Sequence, residues 1–185
     1  MRNVAFATTL IIATLSGCQK QETMTPADVA TAPSSAPAEA GAPPQSDAAE
    51  AISYETTIVK SAATDALNMQ EGVGTLTNGR LESTGKAGFL MFGPYIGLKA
   101  GRYHLKIDGS VATVPEGKTI VVDVASDAGK NIIQKQEIAA PTQAGAALTE
   151  FDVTLPVDTA KVEVRVNVPE GAKVDITGYR LDTAK

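Results

Sequence analysis

Among the 185 residues, few side chains are equipped for covalent or metal chemistry. There is one histidine, His104, and one cysteine, Cys18. Together they fall short of the three or four soft ligands that a zinc or iron–sulfur site takes. A nucleophile–base pair would rest on His104 alone. No Gly-x-Ser-x-Gly elbow, His-Glu-x-x-His pair or Gly-rich phosphate loop is present. Two carboxylates can hydrolyse a glycosidic bond, but no spacing here marks out a pair. Asp123, Asp127, Asp175 and Asp182 are oxygen donors of the kind calcium takes, yet no Asp-x-Asp-x-Asp run gathers them. The chain therefore reads as non-catalytic, with no metal and no cofactor.

Binding chemistry has more to work with. Sugars are held by aromatic faces against their C–H surfaces, with carboxylates, amides and Arg on their hydroxyls. Beyond the N-terminal leader there are seven aromatic residues: Tyr54, Phe89, Phe92, Tyr95, Tyr103, Phe151 and Tyr179. Tyr103, Phe151 and Tyr179 are in phase with apolar strand positions and belong to a core. Phe92 and Tyr95 are the candidates for an exposed rim, and the absence of Trp points to modest affinity. Arg102, His104 and Lys106 alternate along one strand face, a row that could meet an anionic glycan or phosphate. The same row also reads as a solvated sheet face carrying edge-protecting charges. A net charge of −5 and a pI near 4.9 exclude a nucleic-acid partner, which needs a basic stripe.

The elements that must position these residues follow from periodicity. From about residue 51 apolar residues recur every second position, the pattern of strands with one buried face. Tyr103, Leu105 and Ile107 alternate with Arg102, His104 and Lys106. Ile120, Val122 and Val124 alternate with Val121, Asp123 and Ala125; Val162, Val164, Val166 and Val168 alternate with Glu163, Arg165 and Asn167. Phe151 to Leu155 and Val174 to Leu181 continue the theme. Asn78-Gly79 is a two-residue hairpin signal that places Gly74–Thr77 against Arg80–Ser83. Pro115-Glu116-Gly117 and Pro169-Glu170-Gly171 are matching turns, and a short helical turn fits within Ser61–Asn68. Strands at this spacing without amphipathic helices predict an all-β, antiparallel sandwich over residues 51–185.

One stretch carries a resemblance. Thr77-Asn78-Gly79-Arg80-Leu81, then Gly88-Phe89-Leu90-Met91-Phe92-Gly93-Pro94-Tyr95, then Leu98-Lys99-Ala100-Gly101-Arg102-Tyr103 resembles a jelly-roll, carbohydrate-binding-module-like domain. Such domains are appended to bacterial glycosyltransferases and other proteins of surface polysaccharide metabolism. The resemblance implies a jelly-roll fold and a glycan ligand. Gly93, Pro94, Tyr95, Gly101 and Tyr103 also have a purely structural reading, as a corner of the sandwich with buried tyrosine rings.

The N-terminus reads as an address. Met1-Arg2-Asn3 precedes an apolar run from Val4 to Leu15, too short to span a bilayer of ~30 Å but suited to a secretory signal. The run ends in Leu15-Ser16-Gly17-Cys18, which resembles the lipobox of bacterial lipoproteins. The resemblance implies a signal peptide over 1–17, cleavage before Cys18, and acylation of Cys18. Gln19 stands where that family's inner-membrane retention signal places Asp, which favours the outer membrane. Residues 19–50 hold 21 Ala, Pro, Ser, Thr or Gly in 32 positions, a disordered linker without enough apolar surface to offset chain entropy. The expectation is a lipid-anchored protein of the cell envelope whose sandwich binds a glycan. The alternative is an accessory lipoprotein that docks on an envelope protein complex without a sugar.

Overall fold

A computed structural model describes residues 53–143 and 145–184. The leader, Cys18 and the linker lie outside the described residues.

The described chain forms twelve strands: β1 (Tyr54–Glu55), β2 (Thr57–Ser61), β3 (Gly74–Thr77), β4 (Arg80–Ser83), β5 (Gly88–Met91), β6 (Pro94–Leu98), β7 (Gly101–Thr113), β8 (Ile120–Ser126), β9 (Asn131–Ile138), β10 (Ala147–Leu155), β11 (Thr159–Val168) and β12 (Lys173–Thr183). A front sheet runs β1-β6-β11-β8-β9, with β5 also paired to β11. A back sheet runs β10-β7-β12-β4-β3, with β2 also paired to β12. Every pairing is antiparallel except the short β1–β6 contact. Within these orders, β10-β7-β12-β4 faces β6-β11-β8-β9, the two four-stranded sheets of an eight-stranded jelly roll.

Period-two patterning builds the core between the sheets. Tyr103, Leu105 and Ile107 of β7 are fully buried, and their register partners Val153 on β10 and Leu181 on β12 are buried with them. Facing them are Val122 and Val124 of β8 and the valines of β11, all in one apolar cluster. Tyr103 is buried because its hydroxyl donates to the Lys99 carbonyl at 2.7 Å. Tyr179 is also buried, with its hydroxyl aimed at the Gly93 carbonyl at 3.4 Å. Burial pushes the Tyr179 phenol well above its usual range. Phe151 is half-buried against the edge of the same cluster.

The hairpin at Asn78-Gly79 pairs Thr77 with Arg80 and Gly74 with Ser83, as the turn residues predict. Both turn residues take positive φ, 50° and 72°. Between Ser61 and Asn68 there is a single turn, as the sequence suggests: Asp65 N–H donates to the Ser61 carbonyl at 2.8 Å, and the Asp65 carboxylate accepts from Ser61 N–H at 2.9 Å. Strand β8 departs from simple alternation. Its outward residues Asp123 and Ala125 are buried as fully as its inward valines, so its outer face is covered.

Candidate functional site

What covers β8 is a compact group of side chains on the outer face of the front sheet. Strand β11 supplies the floor. Its valines point inward, so Glu163 and Arg165 point outward. Arg165 lies directly opposite Asp123 of β8 and closes a two-pronged ion pair with it, Nε to Oδ1 at 2.7 Å and Nη2 to Oδ2 at 3.0 Å. The Asp123 hydrogen bonds, above all, hold the Arg165 proton even more firmly than usual. Arg165 Nη1 is left 4.0 Å from Glu163 Oε1. Glu163 is only 2% exposed, and Oε1 has no hydrogen-bond partner. A buried acceptor left unpaired costs about 1–3 kcal/mol, more when charged. The cluster thus sets two carboxyl groups against one guanidinium.

Strands β5 and β6 supply the wall. They pair in succession with the same edge of β11, Phe89 opposite Asn167 and Pro94 opposite Glu163. The link between them, Phe92-Gly93, is pinned by Val164 N–H to the Gly93 carbonyl at 2.8 Å and by Phe92 N–H to the Asn68 carbonyl at 3.0 Å. Three rings line up along it. Phe89 and Phe92 meet edge-on with centroids 6.5 Å apart, and Phe92 and Tyr95 follow at 6.3 Å. The Arg165 guanidinium carbon stands 5.3 Å from the Phe89 ring centre. Tyr95 holds φ at +67°, a conformation that bulky residues rarely occupy and that is stored at sites where surroundings enforce it. The residue is 41% exposed rather than buried in a corner. Partial burial and then the neighbouring Glu163 carboxylate push its phenol above the usual range.

The β8–β9 turn closes the other side. Asp127, Ala128 and Gly129 take φ of 52°, 54° and 79° in succession. A Cβ at Gly129 would overlap the Arg165 guanidinium, so glycine is what lets the turn lie over it. Phe89, Phe92, Tyr95, Ala128, Glu163 and Arg165 thus enclose a groove of about 200 Å³. Three larger hollows, near the Pro115 and Pro169 turns (about 770 Å³), between β4 and β12 (about 440 Å³) and beside Ser110 and Thr177 (about 250 Å³), have no aromatic lining. In the second, Asp175 is already paired with Arg80 and Ser110.

The structure brings Phe92 and Tyr95 together in this groove. It places Arg102, His104 and Lys106 on β7, on the outer face of the back sheet, exposed and in one row as the alternation predicts. There His104 Nδ1 is 2.8 Å from Asp152, Arg102 is 3.4 Å from the same carboxylate, and Lys106 is 3.3 Å from Asp108. The His104 hydrogen bond, first of all, holds the Asp152 carboxyl below its usual range. The four aspartates with calcium-type oxygens are dispersed, each beside a cation: Asp123 with Arg165, Asp127 with Lys130, Asp175 with Arg80, Asp182 with Arg180. Among the described residues no three His, Cys, Asp or Glu side chains gather in a way that could hold a metal. Sequence reasoning did not select Phe89, Glu163 or Arg165, and weighed Asp123 only as a calcium-type oxygen donor. The available signal was Ile120-Val121-Val122-Asp123-Val124-Ala125, where apolar residues occupy both strand faces and an isolated Asp must find a buried cation.

No family model and no curated protein matches the chain. Among solved structures, a low affinity xylan binding module, CBM86, from the xylanolytic gut symbiont Roseburia intestinalis aligns with TM-score 0.44 and 13% identity, over 70% of this chain and 97% of that one. The glycosylation associate protein complex Gap123 from Streptococcus agalactiae aligns with TM-score 0.37 and 13% identity, over 69% of this chain and 24% of that one.

Proposed function

We propose that the sandwich is a non-catalytic glycan-binding module, carried on a lipid-anchored tether in the bacterial cell envelope and held at the outer membrane through Cys18. The observation that supports glycan binding is the groove itself. It combines three adjacent rings with a carboxylate and a guanidinium, the mixture that covers a sugar's C–H surface while meeting its hydroxyls. The exposed, strained Tyr95 is the ring best placed to touch a ligand. A groove this small and without Trp implies weak individual contacts. The linker compensates by keeping the module at high local concentration over a surface with many sites.

Affinity electrophoresis of the full chain in detergent, through gels containing envelope polysaccharide fractions, tests the glycan claim. At least one fraction should retard the protein, and Tyr95→Ala or Phe92→Ala should release it while Arg102→Ala and His104→Ala do not. Retardation by no fraction, together with one dominant protein crosslinked in intact cells, would establish the docking alternative instead. For the anchor, Cys18→Ala should move the protein from the membrane to the soluble fraction, because two or three acyl chains bind a bilayer far more firmly than none. Unchanged membrane retention would remove the anchor.

A further inference from the structure

The glycan reading leaves open which sugars the groove prefers, and its charges bear on that choice. A groove for an anionic sugar would offer a free cation, yet the Arg165 guanidinium is tied by two hydrogen bonds to Asp123. Its remaining nitrogen, Nη1, faces the Glu163 carboxylate, not open solvent. Glu163 Oε1 accepts nothing and its nearest cation is 4.0 Å away, while the Tyr95 hydroxyl stands beside the carboxylate as a side-chain donor. The residue lines the groove with its side chain only 3% exposed, so little water reaches it to make up the deficit. Around it stand Phe89, Phe92 and Tyr95, whose ring faces carry the negative side of their quadrupoles. An unpartnered carboxylate oxygen and three aromatic rings border one small volume.

Resting on the glycan reading, we propose that the groove selects an amino sugar with a free ammonium group, and that Glu163 is the counter-ion. The ammonium supplies the hydrogen-bond donor that Oε1 lacks and neutralises the surplus carboxylate. The sugar ring lies against Phe92 and Tyr95. Arg165 is the positioning residue: held by Asp123, it stands beside Glu163 without giving Oε1 a hydrogen bond. An N-acetylated sugar of the same shape keeps the stacking but loses the charge, and a uronic acid meets Glu163 as a like charge.

Titration calorimetry of the full chain in detergent at mildly acidic pH, with three oligosaccharides of equal length, decides the matter. The probes are a glucosamine oligomer, its fully N-acetylated counterpart and a galacturonate oligomer. The glucosamine oligomer should bind at least about tenfold more tightly than the N-acetylated one, and the galacturonate should not bind. Glu163→Gln, nearly isosteric, should bring the first two affinities together, while Tyr95→Ala should weaken both. Equal affinities in the parent protein, or a preference for galacturonate, would overturn the ammonium assignment while leaving glycan binding intact. Binding of none of the three, nor of any envelope fraction, would overturn both. An undiminished preference in Glu163→Gln would dismiss Glu163 as the counter-ion. The parent comparison needs no variant, so it stands even if Glu163→Gln does not fold.

Discussion

On the back sheet, His104 of β7 stands between Asp152 of β10 and Asp182 of β12, and Lys106 stands between Glu150 and Arg180. On the front sheet, Arg165 of β11 stands opposite Asp123 of β8. Both set basic side chains against acidic ones across strands on an outward face, Arg180 beside Lys106 excepted. They differ in cover: the His104 and Asp152 side chains are 45% and 55% exposed, those of Arg165 and Asp123 13% and 7%. In water a charged pair gains little, because solvent screens the attraction and both side chains lose freedom. Under the β8–β9 turn and the Phe89 ring, the same pairing becomes obligatory, since neither ion can be left alone without losing its hydration. Cover, rather than charge type, separates a solvated face from a candidate binding groove.

The most forceful way to break this contrast is Arg165→Met. It strands Asp123 and Glu163 without a cation, and urea unfolding should show a loss of about 3–5 kcal/mol, as for other buried pairs deprived of one partner. Arg102→Ala on the back sheet should leave the urea midpoint within scatter of the parent; equal losses at the two sites would erase the distinction. Gly129→Ala comes next. It forces a side chain into a positive-φ position and against Arg165, and should lower stability by about 1–3 kcal/mol by the same measurement.

Tyr95→Gly sharpens the comparison in another way. Glycine accepts φ of +67° without penalty. Stability should therefore stay within about 1 kcal/mol of the parent or rise, while polysaccharide retention is lost. A large loss of stability would mean that the tyrosine serves the fold instead. The smallest effect is expected with acid. Asp158 is held below the usual carboxylate range by the Ala100 N–H at 2.8 Å and then by Lys99 at 3.0 Å, and Asp152 by His104. The unfolded chain takes up these protons first. Their stabilisation is thus complete above the ordinary carboxylate range and is lost as pH falls through the folded-state values. Thermal unfolding across that window should show a shallow decline, and Asp158→Asn should flatten it further.

Much of the architecture was legible in advance. The hairpin at Asn78-Gly79, the inward valines of β11 and the outward row on β7 all follow from local rules, because strand periodicity and turn chemistry act over a few residues. Strands such as β2 and β9 escaped that reading. In β9, Asn-Ile-Ile-Gln-Lys-Gln-Glu-Ile lies at a sheet edge with most side chains exposed, so no apolar alternation is required of it. In β2, five residues with a single buried side chain are too few to show a period. For the groove, Phe92 and Tyr95 could be singled out as aromatic residues out of phase with the core. Glu163 and Arg165 could not, since in a strand pattern they are indistinguishable from Glu150 and Arg102.

Local patterning was thus enough to assign the class of fold and the inward faces of β7, β8, β10, β11 and β12. It was not enough to say which outward face is covered. That outcome needed β5, β6 and the β8–β9 turn to converge on β11 from distant parts of the chain, with Phe89 paired to Asn167 and Asp123 to Arg165. A side chain's periodicity says which side of a sheet it occupies. Whether water remains on that side depends on long-range packing, and with it whether a charge is ordinary surface or a site able to recognise something.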